Sequence, residues 1–108
     1  MRILFDHSTP APLRRYLEEH EVTEAVELGW DRLANGELLA AAERAGFDVL
    51  LTADKNVRYQ QNFTGRKIAL IVLGNAQRPV LRRYVERVVA VVDSAAPGGY
   101  AEVDVPFA

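Results

Sequence analysis

Asp48-Val49-Leu50-Leu51-Thr52, running on into Ala53-Asp54, carries apolar side chains on both faces of an extended chain. Successive side chains of a strand point to opposite sides, so a strand written this way needs cover above and below. Central strands of parallel sheets, sandwiched between helices, have that requirement. Lys67-Ile68-Ala69-Leu70-Ile71-Val72-Leu73 is a second run of the same kind and the most apolar in the chain. Both runs call for a buried sheet.

Upstream, Asn35 is predicted to cap a helix from about Gly36 to Ala45, with Gly46 ending it in the left-handed conformation. Val22 to Leu28 alternates as a strand closed by Gly29, and Arg2-Ile3-Leu4-Phe5 is a short buried strand that ends at Asp6. Between them, Ser8-Thr9-Pro10 reads as an N-cap followed by a first-turn proline, opening a helix to about Glu19 with Leu13, Tyr16 and Leu17 as its apolar stripe. Pro12 fits there too, because first-turn N–H groups have no intrahelical partner. Downstream, Pro79 opens a helix to about Ala95. Its valines favour a strand by propensity, but Leu81, Val85, Val88 and Val92 fall at helical spacing and the length favours a helix. Pro97-Gly98-Gly99 breaks it, and Tyr100 to Val105 alternates as a last strand at a sheet edge. The order β-α-β-α-β-(short helix)-β-α-β defines an α/β domain with a mostly parallel sheet.

With 108 residues, 49% of them hydrophobic and 26% charged, one core and one domain spanning 1–108 are expected. There is no cysteine, which excludes a disulfide framework, a thiolate metal site and a thiol nucleophile. Asp6 arrives too early for a signal-peptide core, and no apolar stretch approaches the roughly 20 residues that span a bilayer, so a cytoplasmic protein is expected. The net charge of −2 means that any nucleic-acid binding must rest on a local basic patch or a cation.

Ligands of open parallel sheets bind beyond the carboxyl ends of the strands, and two strands here end in an aspartate. Phe5 leads into Asp6, and Leu51-Thr52-Ala53 leads into Asp54. Neighbouring strands lie about 4.8 Å apart, while two oxygens on one Mg²⁺ can be at most roughly 4.2 Å apart. Side-chain reach closes that gap if the strands are adjacent. Each aspartate alone reads equally well as a turn residue bonded to local backbone. Both together, after buried strands, favour a metal site. Glu37, in the first turn of the helix before the Asp54 strand, is the third candidate; alone it would simply complement the helix dipole.

After Asp54 the chain reads Lys55-Asn56-Val57-Arg58-Tyr59. Lys55 and Arg58 could hold a phosphate beside the metal and Tyr59 could stack on a base, although an ordinary solvated face has the same composition. Arg78, Arg82, Arg83 and Arg87 form a second basic group, read as a solvated face with Glu86. His7 and His20 are left out of the core site. Ser8 lacks a base and orienter for a serine-hydrolase triad, and Gly98-Gly99 follows a helix instead of opening one, so no phosphate-binding glycine fingerprint is present.

Ile3-Leu4-Phe5-Asp6, Asn35-Gly36-Glu37-Leu38-Leu39-Ala40-Ala41-Ala42 and Val49-Leu50-Leu51-Thr52-Ala53-Asp54-Lys55-Asn56, in that order, resemble the compact bacterial PIN-like proteins, relatives of the PIN nuclease toxins of toxin–antitoxin pairs. The likeness runs from Met1 to about Ala95. It implies a PIN-like three-layer domain with helices on both faces of the sheet, and acids gathered around Mg²⁺ or Mn²⁺. It further implies cleavage of RNA phosphodiesters by a metal-activated water, and a cognate antitoxin protein as partner. Asp6 matches the first-strand aspartate, Asp54 the aspartate of the Thr-x-Asp motif, and Glu37 lies in the helix that carries the middle acid. Asn35 and Asn56 stand where many relatives carry acids, and fewer acids weaken the binding of a metal ion.

The expected function is therefore a metal-dependent endoribonuclease, with Asp6, Glu37 and Asp54 as metal ligands and catalytic acids, and Lys55 or Arg58 orienting the phosphate. Two other classes fit the same residues. A catalytically inactive PIN-like protein-binding module predicts no divalent-ion effect on stability. A small metal-dependent phosphohydrolase predicts turnover of small phosphoesters without RNA cleavage. A homodimer is compatible with the architecture.

Overall fold

The computed structural model describes residues 1–54, 67–74 and 84–103. Five strands form one sheet: β1 (Arg2–Phe5), β2 (Glu21–Glu24), β3 (Val49–Thr52), β4 (Ala69–Leu73) and β5 (Tyr100–Val103). Their order is β2-β1-β3-β4-β5, and every neighbouring pair is parallel. The sheet is thus wholly parallel, beyond the mostly parallel arrangement expected, and β5 lies at the edge anticipated for it.

Register explains why the two apolar runs sit where they do. Phe5, Leu51, Ile71 and Ala101 stand level across β1, β3, β4 and β5, and Leu4, Leu50 and Leu70 stand level one step back. The first row points to a core with Leu13, Leu17, Val88 and Val92; the second points to a separate core with Ala25, Leu38, Leu39, Ala42 and Phe47. Helix α1 (Asn35–Arg44) therefore covers one face, while α2 (Val85–Asp93) and a 3₁₀-helix (Ala11–Tyr16) cover the other. All residues of β3 and β4 are buried, as the both-faces pattern requires. In α2 the fully buried Val88 and Val92 are four apart, so helical spacing overrides the strand propensity of valine. The part of that helix expected from Pro79, including Leu81, lies outside the described residues, as does the short helix expected after Asp54.

Three expectations need correction. The helix predicted from Ser8 to Glu19 is a six-residue 3₁₀-helix that starts after Pro10, with the Leu13 N–H donating to the Pro10 carbonyl at 3.1 Å. Ser8 does not cap it: its Oγ accepts from the Ala53 N–H, and Pro10 occupies the cap position. The turn closes at Tyr16, where the Leu17 N–H donates to the Arg14 carbonyl at 3.1 Å in the three-residue step of a 3₁₀-helix. The strand predicted over Val22–Leu28 stops at Glu24 and becomes a 3₁₀-helix over Ala25–Leu28. Val22 is buried in one core and Ala25 in the other, and the alternation ends there, with Val26 61% and Leu28 42% exposed. At α1, Ala34 occupies the cap position, without a side-chain cap, and Asn35 is the first helical residue. Gly46 follows α1 with φ of 85°, the left-handed conformation expected of it, and Gly29, expected to close a strand, caps the 3₁₀-helix with φ of 73°. No helix among the described residues is long and apolar enough to cross a membrane.

Candidate functional site

A strand order of 2-1-3-4-5 reverses direction between β1 and β3, and the crevice at the carboxyl end of that pair is where doubly wound sheets bind ligands. Asp6 leaves β1 there, and Asp54 follows two residues after the end of β3. The two aspartates picked from sequence are thus brought to one edge by adjacent parallel strands. The Asp6 N–H still donates to the Leu51 carbonyl at 3.2 Å, so Asp6 continues the ladder level with Thr52.

Asp6 is buried, at 4% exposure. Its Oδ1 accepts from the Ser8 N–H at 3.1 Å, the Ser8 hydroxyl at 2.7 Å and the Thr9 hydroxyl at 2.9 Å. Its Oδ2 accepts from the hydroxyl of the fully buried Thr52. Hydrogen counting fixes the direction of this network. The Ser8 Oγ accepts the Ala53 N–H at 2.9 Å and Thr52 Oγ1 accepts the Asp54 N–H at 3.0 Å. Each hydroxyl owns one hydrogen, and both hydrogens go to Asp6. The 3.2 Å approach of Ser8 Oγ to Thr52 Oγ1 is then a contact without a hydrogen. Thr9 has a second acceptor in the Leu51 carbonyl at 2.7 Å.

A buried charge needs such partners, because desolvation without them costs several kcal/mol, on the order of the penalties for isolated ions. The sequence reading left Ser8, Thr9 and Thr52 out of the site. The available signal was the pair of small hydroxyl residues two and three positions after a strand-end aspartate, a spacing that invites local side-chain-to-backbone bonding.

Glu37 lies in the first turn of α1 and is exposed, lining an open groove with Leu33, Gly36, Ala40, Ala41 and Arg44. Among the described residues, no group of three or more His, Asp or Glu side chains is placed to hold a metal ion. Asp6 and Asp54 follow adjacent strands at one edge of the sheet, whereas the groove that Glu37 lines contains neither aspartate. His7 is exposed next to Asp6. His20 precedes β2, at the opposite edge of the sheet, and its Nε2 lies 2.7 Å from Asp93 Oδ1. Lys55, Asn56, Arg58, Tyr59, Arg78, Arg82 and Arg83 lie outside the described residues. Arg87 is exposed on α2, with its guanidinium 4.8 Å from the centre of the Tyr84 ring. No protein-family model, curated protein or solved structure matches the chain.

Proposed function

We propose that this chain is a cytoplasmic, metal-dependent endoribonuclease with a PIN-like three-layer fold, in which Asp6 and Asp54 hold Mg²⁺ or Mn²⁺. The observation that carries the reading is the pairing of a buried, clamped aspartate with a second aspartate at the carboxyl ends of adjacent strands, at the point where strand order reverses. The donor set suits a hard cation. Two carboxylates are enough for Mg²⁺, which keeps several waters and takes further oxygens from substrate phosphates. A carboxylate has about four lone-pair positions; Oδ1 of Asp6 is filled, and Oδ2 takes only the Thr52 hydrogen, so Oδ2 retains a position for the ion.

When bound, the cation supplies a water of lowered pKa and offsets charge developing on the phosphate oxygens. The chain's own part is orientation. Ser8, Thr9 and Thr52 keep the Asp6 carboxylate in one rotamer, and Thr52 also holds the Asp54 backbone. Glu37 would act from the rim, and Lys55 and Arg58 would hold the RNA phosphate. The net charge of −2 makes these local groups and the cation the source of any affinity for RNA. A cognate antitoxin as partner belongs to the same reading and rests on the resemblance alone.

The test is cleavage of a labelled RNA pool in Mn²⁺ or Mg²⁺ by wild type, Asp6→Asn and Asp54→Asn. Metal-dependent cleavage that both variants lose is expected. A second reading is favoured by the four hydrogen bonds that Asp6 already accepts: an inactive binding module in which Asp6 is only a loop clamp. Folded wild type that cleaves no RNA and is not stabilised by Mn²⁺ would support that module instead.

A further inference from the structure

We infer that Ser8 is a positioning residue of the proposed site, tying the segment that carries Asp54 to the Asp6 carboxylate. The inference rests on the metal-site reading above. Asp6 and Asp54 are far apart in sequence, so their spacing depends on whatever joins the loop after β1 to the chain leaving β3. Two hydroxyl bridges do so. One runs from Asp6 Oδ2 through Thr52 Oγ1 to the Asp54 N–H, the other from Asp6 Oδ1 through Ser8 Oγ to the Ala53 N–H.

The bridges differ in kind. Thr52 is the last residue of β3, and sheet register alone brings it level with Asp6. Ser8 belongs to the other loop, and its hydroxyl reaches across to the Ala53 backbone. An N–H can only donate, so the Ser8 oxygen must accept from Ala53 and must give its single hydrogen to Asp6. Ser8 also fills Oδ1 twice, through N–H and O–H. That occupancy leaves Oδ2 as the oxygen with an acceptor position to spare. One residue thereby sets both the oxygen offered to a cation and the anchoring of the segment that bears the second ligand. Partners of this sort, bonded to metal ligands, typically change metal affinity by about 10–100-fold when removed.

The experiment compares wild type, Ser8→Ala and Ser8→Thr by Mn²⁺ titration and by amide hydrogen exchange of the metal-free protein. In Ser8→Ala, exchange at the Ala53 amide should quicken about tenfold while Asp54, held by Thr52, stays protected, in line with the loss of one net hydrogen bond. Mn²⁺ affinity should fall about 10–100-fold. Ser8→Thr, which keeps the hydroxyl, should restore both. Should Ser8→Ala fail to fold, Ser8→Cys, with a weaker acceptor at the same position, is read in its place. Wild type that binds Mn²⁺ while the Ser8 variants bind it equally would overturn the positioning role and leave the metal site standing. Wild type that binds no Mn²⁺ would overturn the metal-site reading, and this role with it, whatever Ala53 does.

Discussion

Replacing Asp6 by alanine and by asparagine should give clearly different stabilities, and the difference follows from counting hydrogens. In Asp6→Ala the Thr9 hydroxyl turns to the Leu51 carbonyl, 2.7 Å away, and the Ser8 hydroxyl can turn to Thr52 Oγ1 at 3.2 Å. The Ser8 N–H and the Thr52 hydroxyl then have no acceptor. Thr52 is fully buried and bears the full penalty, whereas Ser8 is half-buried and water can reach it in part. At about 1–3 kcal/mol for each stranded buried donor, the loss is about 2–5 kcal/mol. In Asp6→Asn the amide oxygen can keep both Ser8 bonds, and the amide N–H can donate to Thr52 Oγ1, whose own hydrogen turns to Ser8 Oγ. What disappears is charge assistance, about 1 kcal/mol, and the second amide hydrogen, which has no acceptor in the network, adds up to about 1 kcal/mol more. Urea denaturation measures this directly, with the midpoint moving and the slope unchanged. Asp6→Ala within about 1 kcal/mol of wild type, where stranded donors require more, would refute the network as drawn. Equal losses in the two variants would do the same.

Two further outcomes test other parts of the fold. Gly46→Ala should cost about 1–2 kcal/mol in equilibrium unfolding, the usual penalty for an L-residue in the left-handed region; Gly46 has φ of 85°, and a Cβ there would stand 3.1 Å from Arg2 Nη1, which caps α1 through the Ala45 carbonyl. An unchanged midpoint would mean that α1 ends differently. The Glu27 carboxyl is held below its ordinary pKa by its hydrogen bond to Arg14, with the Arg14 charge also lowering it, and the Arg14 pKa is raised in turn. A depressed folded-state value means that the pair contributes at pH above the ordinary glutamate value, and that the contribution is lost as pH falls through the lowered one. Carboxyl NMR titration should therefore show Glu27 rising in Arg14→Gln, and no movement would contradict the pairing.

Legibility in the sequence followed how strongly each segment is constrained. β3 and β4 were readable because burial on both faces leaves an unbroken apolar run, and α2 because Val88 and Val92 repeat at helical spacing. The segment from Ser8 to Glu19 misled because a Ser-Thr-Pro sequence is a good helix start in isolation; only the fold reveals that the Ser8 oxygen accepts from Ala53 instead of capping. Val22–Leu28 misled because only Val22, Thr23 and Glu24 belong to the strand, and the chain turns into a 3₁₀-helix from Ala25. At the site, the aspartates were found because strand ends are visible in a sequence. The hydroxyls that orient them were not, since Thr52 reads as one more strand residue until β1 is laid beside β3.

Clamp and metal ligand make opposite demands on Asp6, and that opposition makes the two readings separable. A clamp needs acceptors in the right places, which an asparagine side chain largely reproduces once Thr52 and Ser8 reverse one hydrogen. A ligand for a hard cation needs the charge, which asparagine lacks. Asp6→Asn should therefore stay folded, within about 2 kcal/mol of wild type, yet lose the stabilisation that Mn²⁺ gives to wild type, which at ten times Kd amounts to about 1.4 kcal/mol. If Asp6 serves only the loops, Mn²⁺ leaves both proteins unchanged. If it serves both roles, the two oxygens divide them: Oδ1 takes the Ser8 and Thr9 donors, and Oδ2 takes the Thr52 hydrogen with an acceptor position left over. The carboxylate can then offer Oδ2 to a cation while Ser8 and Thr52 keep it in place.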